Sequence, residues 1–416
     1  MESTQRRHIL LFNETAVPSY DRPYRCQVYI SHLYQHYDRI DIVAPQNKDH
    51  FPAEIETKIH YFTYKYRFKK QYSLFQRLLG LANLYVALWR YVSRENPGYI
   101  RGEQTHMGLL LQLIPWKRHI PFISSIYDIY YDLYKSFGYP FAWFVCPIIK
   151  FLERIGLRRV DLLFVDTPVQ RDLMAGLGVS AEQCVTIPNG IYINRFPVSE
   201  MKDQKLLEQY GLEGKKVVMY AGDISMIDGL ETLIDASPRI VGEIPNVQFV
   251  VIGKGLPHYV ESLKQRIQKI GLMERFTFIG WLPYEDLYKY INLADVGVAP
   301  FLLTPTADTA ECGKIIIYLS QRKPVVATKS RGVHALYGDY LKYSEPGDAN
   351  LLVAQVVDAL RHEPTEEQKN KYRQLAELFD NPLVTEYEHN VITAFLDDPK
   401  QDMRKYDYLP ARLANG

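Results

Sequence analysis

The chain has 416 residues, 47% hydrophobic and 23% charged, with 49 Lys and Arg against 48 Asp and Glu. That length exceeds what one hydrophobic core ordinarily serves, so two domains are expected, and the apolar content excludes a disordered chain. The balanced charge excludes a nucleic-acid binder working through a basic footprint, and no run approaches the roughly 18 apolar residues of a spanning helix.

Four cysteines, Cys26, Cys146, Cys184 and Cys312, are scattered and form no CxxC pair. The pattern argues against a zinc site and a disulfide framework, and fits a reducing cytosol. The opening MESTQRRHILLFNE carries an apolar run too short for a signal peptide. A cytoplasmic protein is expected, soluble or peripheral to the inner face of a membrane.

In chain order, HILLFN (8–13), RIDIVAP (39–45), PGYIRGE (97–103), PFISSIYD (121–128), VDLLFVDT (160–167) and CVTIPNG (184–190) are short apolar runs. Runs of this kind form buried parallel strands. Helix-period segments such as 73–95 lie between them, which implies a doubly wound α/β domain. The charged stretch 195–214, with Pro197, reads as a linker. The pattern then restarts with KKVVMYAGD (215–223), VQFVVIGKG (247–255), RFTFIGW (275–281), VGVAPF (296–301) and PVVATK (324–329), again alternating with helical segments. Residues 386–400 read as a last helix followed by a loose tail.

Ligands of open parallel sheets sit beyond the carboxyl ends of the strands, near the switch point of the strand order. Several strands here end in glycine, at Gly190, Gly222, Gly253, Gly255 and Gly280. Glycine lets a ligand approach backbone N–H groups closely, and it also simply ends strands.

The motif series IPNGIYINRF (187–196), VVMYAGDISMIDGLETLIDA (217–236), VQFVVIGKG (247–255), FTFIGWLPYEDLYKYINLADVGVAP (276–300) and KIIIYLSQRKPVVAT (314–328) resembles the carboxyl-terminal lobe of GT-B glycosyltransferases of retaining family 4, the glycosyl transferases group 1. The resemblance implies two Rossmann-like domains facing across a cleft. Residues 1–197 would be the acceptor side, 198–385 the nucleotide-sugar side, and 386–416 a terminal helix and tail. It implies transfer of a sugar from a nucleotide sugar to a glycan, lipid-linked or small-molecule acceptor, with retention. No cofactor or metal is implied, because a helix N-terminus and basic side chains meet the diphosphate. The base would lie near Gly253, Gly255 and Ile279–Trp281, with Gly222 and Gly280 on the same rim. The ribose and diphosphate would meet residues 311–318, including Lys314 and Tyr318.

The chain departs from that pattern in several places. The two acids that the family spaces eight residues apart fall on Thr309 and Ile317, and neither side chain offers a carboxylate acceptor. The basic residues expected after Gly222 and before Gly229 are Asp223 and Asp228. The first-strand loop 13–25 lacks a Gly-Gly pair, and Tyr127-Asp128 stands where His-Asp is common. These losses raise a second reading, a catalytically inactive paralogue that binds or scaffolds an active transferase.

Asp128 is the candidate polar contact to substrate, against the reading of a turn or N-cap acid. Glu311 is the candidate carboxylate near the sugar, against an exposed first-turn acid. Lys314 is the candidate phosphate ligand, against a solvated lysine. The apolar segment 135–159 ends in basic residues. It reads either as a helix packed on the sheet or as an interfacial helix touching a membrane that carries the acceptor. The aromatic and basic stretch 60–72 reads as a lipid-facing surface or a loop over an acceptor.

Overall fold

The computed structural model describes residues 8–12, 25–45, 51–64, 74–103, 114, 120–126, 129–136 and 141–408. Two sheets carry the described chain. The first contains β1 (His8–Phe12), β2 (Arg39–Pro45), β3 (Ile59–Tyr64), β4 (Tyr99–Glu103), β5 (Phe122–Ile126), β6 (Leu162–Val165) and β7 (Cys184–Thr186), in the order β3-β2-β1-β4-β5-β6-β7. The second contains β8 (Lys216–Ala221), β9 (Val247–Ile252), β10 (Phe276–Gly280), β11 (Val296–Ala299), β12 (Val325–Thr328) and β13 (Lys342–Ser344), in the order β10-β9-β8-β11-β12-β13. Every described pairing is parallel. Central strands such as β5, β6, β9, β11 and β12 are buried along their whole length, as helices on both faces require.

Two strands escape the sequence reading. β3 occupies the start of the stretch read as a lipid-facing surface. Ile59 is buried and Phe62 packs edge-on against Tyr91 at 4.8 Å, so this part is an edge strand. Residues 65–72 lie outside the described residues. β13 is three residues long and not apolar, and it is held through its pairing with β12.

In the first unit the helix Leu74–Arg94 presents Leu84, Leu88 and Tyr91 to the core at helical spacing. The Tyr91 hydroxyl donates to the buried Asp41 carboxylate at 2.9 Å, which also meets Arg39 Nε at 2.8 Å and His8 Nε2 at 2.6 Å. Burial works against that carboxylate, but these bonds hold its pKa below the usual range. In the second unit Leu233 and Ile240 from the helix Leu230–Glu243 meet Val356 from the helix Ala349–Arg361 over Val218, Val251 and Val298.

One unit takes residues 1–131, 141–187 and 382–416, the other 132–140 and 188–381. The sequence placed the joint within 195–214. The structure divides the chain earlier, because the segment after Ile187 bonds to the end of the second unit: Ile191 N–H donates to Phe379 O and Asn381 N–H to Ile191 O, each at 2.8 Å. The final helix, Asn381–Asp397, rejoins the first unit. Its Glu388 accepts from Arg101 Nε at 2.9 Å and Nη2 at 2.7 Å, while Arg101 also donates to Gly102 O and Ser125 Oγ. The tail expected to be loose is attached as far as residue 408, where Tyr408 is buried. Asp407 accepts from Thr186 N–H at 2.8 Å and from Arg171.

The Arg101–Glu388 pair is almost wholly buried on both sides. Arg101→Met is therefore expected to destabilise the first unit by about 3–5 kcal/mol, because it strands a buried carboxylate. Glu388→Gln, which takes the counter-charge from a buried guanidinium that cannot deprotonate, is expected to cost a comparable amount. Urea unfolding of the two variants checks this, and a loss under about 1 kcal/mol in either would contradict it.

Candidate functional site

The strand order of the second sheet reverses between β8 and β11. These strands pair only through Val218 with Val296 and Met219 with Gly297, then part. The helix Gly313–Ser320 lies at the gap, and its Tyr318 hydroxyl takes over from the ladder. It donates to Met219 O at 3.0 Å and accepts from Ala221 N–H at 2.7 Å. The ring has room because residue 297 is glycine: a Cβ there would stand 2.5 Å from it. Burial pushes the Tyr318 hydroxyl up in pKa, so it stays protonated. Expected beside a ligand, Tyr318 instead faces backbone with its hydroxyl committed. It supports the rim from within.

Four residues earlier, on the same helix face, is Lys314. Its Nζ donates to Asp228 Oδ1 at 2.7 Å and to the Tyr220 hydroxyl at 3.0 Å, and it lies 4.5 Å from the centre of the Tyr220 ring. Burial disfavours the ammonium, but Tyr220, Cys312 and Asp228 outweigh it, and the Lys314 pKa stands well above an ordinary lysine. Asp228 gives its other oxygen to Ser225 Oγ at 2.6 Å. The acid expected to repel a diphosphate is thus the counterion of the lysine expected to hold one. Lys314 keeps one of its three N–H groups in hand. Asp223 is exposed.

The glycine endings lace the rim together. Gly222 N–H donates to Ile252 O at 3.0 Å and Gly253 N–H to Gly280 O at 2.8 Å. Gly253 has φ +141°, and a Cβ there would fall 1.8 Å from Gly222 O; at Gly255 it would fall 2.1 Å from Ile224 O. At Gly222 the neighbour is the Lys314 side chain, 3.0 Å from a notional Cβ. These glycines let backbone approach backbone. Gly280 differs: its φ is +87° and nothing stands near a Cβ. Directly after it, Trp281 is half exposed, with the Lys254 ammonium 5.7 Å from its ring centre. The sequence reading placed the base near the backbone of Ile279–Trp281; the Trp281 ring and Lys254 beside it are what it did not single out.

Glu311 is not a free carboxylate. Its Oε2 accepts from Asn189 N–H at 2.7 Å and its Oε1 from the Tyr337 hydroxyl at 3.1 Å, so it fixes the Pro-Asn-Gly turn. Thr309 is buried, its hydroxyl donating to carbonyls of its own short helix. Ile317 is half-buried. The structure therefore offers no carboxylate in the family's two acidic positions. Cys312 precedes the helix without capping it by a side-chain bond, and burial pushes its thiol up to about 11. Asp128 lies outside the described residues.

Removing one member of the Lys314–Asp228 pair leaves the other charge partly buried and unpaired. Lys314→Met and Asp228→Asn are each expected to destabilise the second unit. The double variant should recover about 1–3 kcal/mol relative to the sum of the two. Purely additive losses in thermal or urea melts would show that the pair is not coupled.

Two family matches cover most of this chain: residues 215–362 match "Glycosyl transferases group 1" and residues 32–190 match "Glycosyl transferase 4-like domain". Mannosylfructose-phosphate synthase of Agrobacterium fabrum is 28% identical over 51% of this chain and 47% of its own. The GDP-mannose-dependent alpha-(1-6)-phosphatidylinositol monomannoside mannosyltransferase of Mycolicibacterium smegmatis is 27% identical over 48% and 52%. The chain spans about half the length of these curated relatives. Among solved structures, Anabaena HepE in complex with UDP and glucose superposes with TM-score 0.69 at 19% identity, over 93% of this chain and 100% of that one. Sucrose-phosphate synthase of Thermosynechococcus elongatus gives 0.73 at 17% identity, over 94% and 99%. The fold is that of the two-domain GT-B glycosyltransferases.

Proposed function

Because the chain belongs to the group 1 glycosyl transferases, we propose that it moves a sugar from a nucleotide sugar to a glycan, lipid-linked or small-molecule acceptor. The observation that carries this reading is the rim at the β8/β11 switch point. There the helix Gly313–Ser320 begins without a side-chain cap, close to an ammonium with one N–H to spare. First-turn N–H groups and that N–H would meet the diphosphate, and would stabilise the charge that builds on it as the sugar departs. Trp281 and Lys254 offer a face for the base, beside Gly253 and Gly255. Asp128 is our candidate for a polar contact to substrate, Glu311 acts by holding the Pro-Asn-Gly turn, and transfer proceeds with retention and without a metal. The complex of HepE with UDP-glucose and the GDP-mannose dependence named for the mannosyltransferase support the donor class.

Thermal melting with UDP, GDP and their sugars checks the reading. A nucleotide at one hundred times its Kd is expected to raise the melting temperature of the second unit by roughly 5–10 °C. No shift with any nucleotide would favour the inactive paralogue.

We propose further that the first unit docks on an anionic bilayer carrying a lipid-linked acceptor. The helix Ala142–Leu157 buries Glu153, Gly156 and Leu157, and its opposite face bears Phe144, Ile148, Phe151 and Leu152, all exposed. Trp143 is 81% exposed, and Lys150, Arg154 and Arg158 flank the apolar stripe. An aromatic face with a basic border suits the headgroup boundary. A helix merely packed on the sheet would turn that stripe inward. No helix among the described residues is long and apolar enough to cross a membrane. Vesicles with about one-third anionic lipid are expected to co-sediment the protein. Trp143→Ser with Phe151→Ser should release it, and binding untouched by the double change would refute the docking face.

A further inference from the structure

At the amino ends of β8, β11 and β12, the rim opposite the glycine endings, the second unit holds a cavity of about 200 Å³. Its lining brings Lys202, Lys216, Arg322, Lys323 and Lys369 together with Glu200, Asp295 and Glu363, a formal surplus of two positive charges. Each lining carboxylate already has a cation. Asp295 holds Lys202 at 2.8 Å, Glu363 holds Lys216, and Glu200 holds Arg322 Nη1 at 3.1 Å. Lys369 reaches Glu366, outside the lining, at 2.8 Å.

Lys323 is left without a carboxylate. Burial, with Lys202 and Lys369 adding to it and Asp295 opposing, pushes its ammonium down to about 8. Two neighbours are also unsatisfied. Arg322 Nε is buried and finds no acceptor, and Gln321 Oε1 is buried and finds no donor. The Gln321 amide is oriented by Nε2, which donates to Phe196 O at 3.1 Å. Arg322 itself sits at φ +58°, a left-handed conformation that glycine adopts freely and arginine does not. The lining thus combines a charge surplus with one buried donor and one buried acceptor that have no protein partner.

We propose that this cavity binds a small phosphate-bearing anion, with Lys323 and Arg322 donating to the phosphate and Gln321 Oε1 accepting from a ligand hydroxyl. The site holds whether or not the other rim takes a nucleotide. The two ends of the sheet are joined by the helix Gly313–Ser320, which starts beside Lys314 and runs into Gln321 and Arg322. Occupancy of the cavity therefore steadies the helix that presents the other rim.

The test uses the full chain at ionic strength held constant with NaCl, titrated with inorganic phosphate and with glycerol 3-phosphate. Acetylation of the Lys323 amine, followed by peptide mass spectrometry, reports this site alone. Protection of Lys323 that saturates with phosphate is expected. Calorimetry should show the phosphate Kd of Lys323→Met raised about tenfold or more. Glycerol 3-phosphate should bind more tightly than phosphate, an advantage that Gln321→Leu removes. Without anion, Lys323→Met should melt no lower than the parent, because it removes an unpartnered charge. Lys323 acetylated equally fast with and without phosphate, or a clearly lower melting temperature for Lys323→Met, would overturn the proposal.

Discussion

One hydroxyl sets the geometry of the second unit's upper rim. Parallel strands that reverse their order must part at the reversal, and the parting leaves backbone groups without a ladder partner. Tyr318 supplies both missing partners, to Met219 O and Ala221 N–H. The hydroxyl reaches them because residue 297 carries no side chain and the ring lies flat against the strand. Everything above follows from that placement. With Tyr318 anchored, the helix can turn only one face to the sheet, and that face carries Lys314 under Gly222.

The charge arrangement there is an inversion that keeps its own balance. Asp228 stands where the family resemblance leads one to expect a base, and Lys314 answers it across 2.7 Å. The pair contributes little net potential at distance, so attraction of the proposed diphosphate would fall to helix N–H dipoles and to the remaining lysine hydrogen. With Ile317 and Thr309 in the acidic positions, a ribose finds no carboxylate there either. For the donor proposed above, affinity would therefore lean on backbone more than on charged side chains.

The alternation of short apolar runs with helical segments was enough to read two doubly wound sheets, because fully buried strands leave continuous hydrophobic runs. β3 and β13 were illegible for the complementary reason. They are edge strands, half solvated, and β13 has no apolar run at all. At the site, sequence located the rim but misjudged what its residues face. Tyr318 and Lys314 were found by motif position, yet their hydrogen bonds run to Met219, Ala221, Asp228 and Tyr220, residues about 90 positions away. Spacing along a chain carries no information about such partners. The glycines show the same limit, since nothing local says whether backbone or ligand occupies the space a side chain would fill. The segment ending at Trp281 was named for its backbone, while its ring and the neighbouring Lys254 went unread.

Arg101 and Glu388 are 287 residues apart. A ribosome adding roughly 5–20 residues per second delivers the second partner on the order of 15–60 s after the first. Through that interval the nascent first sheet carries a guanidinium whose buried carboxylate partner, Glu388, has yet to be made. The first sheet is thus synthesised as an unfinished core, and its closure awaits the helix Asn381–Asp397.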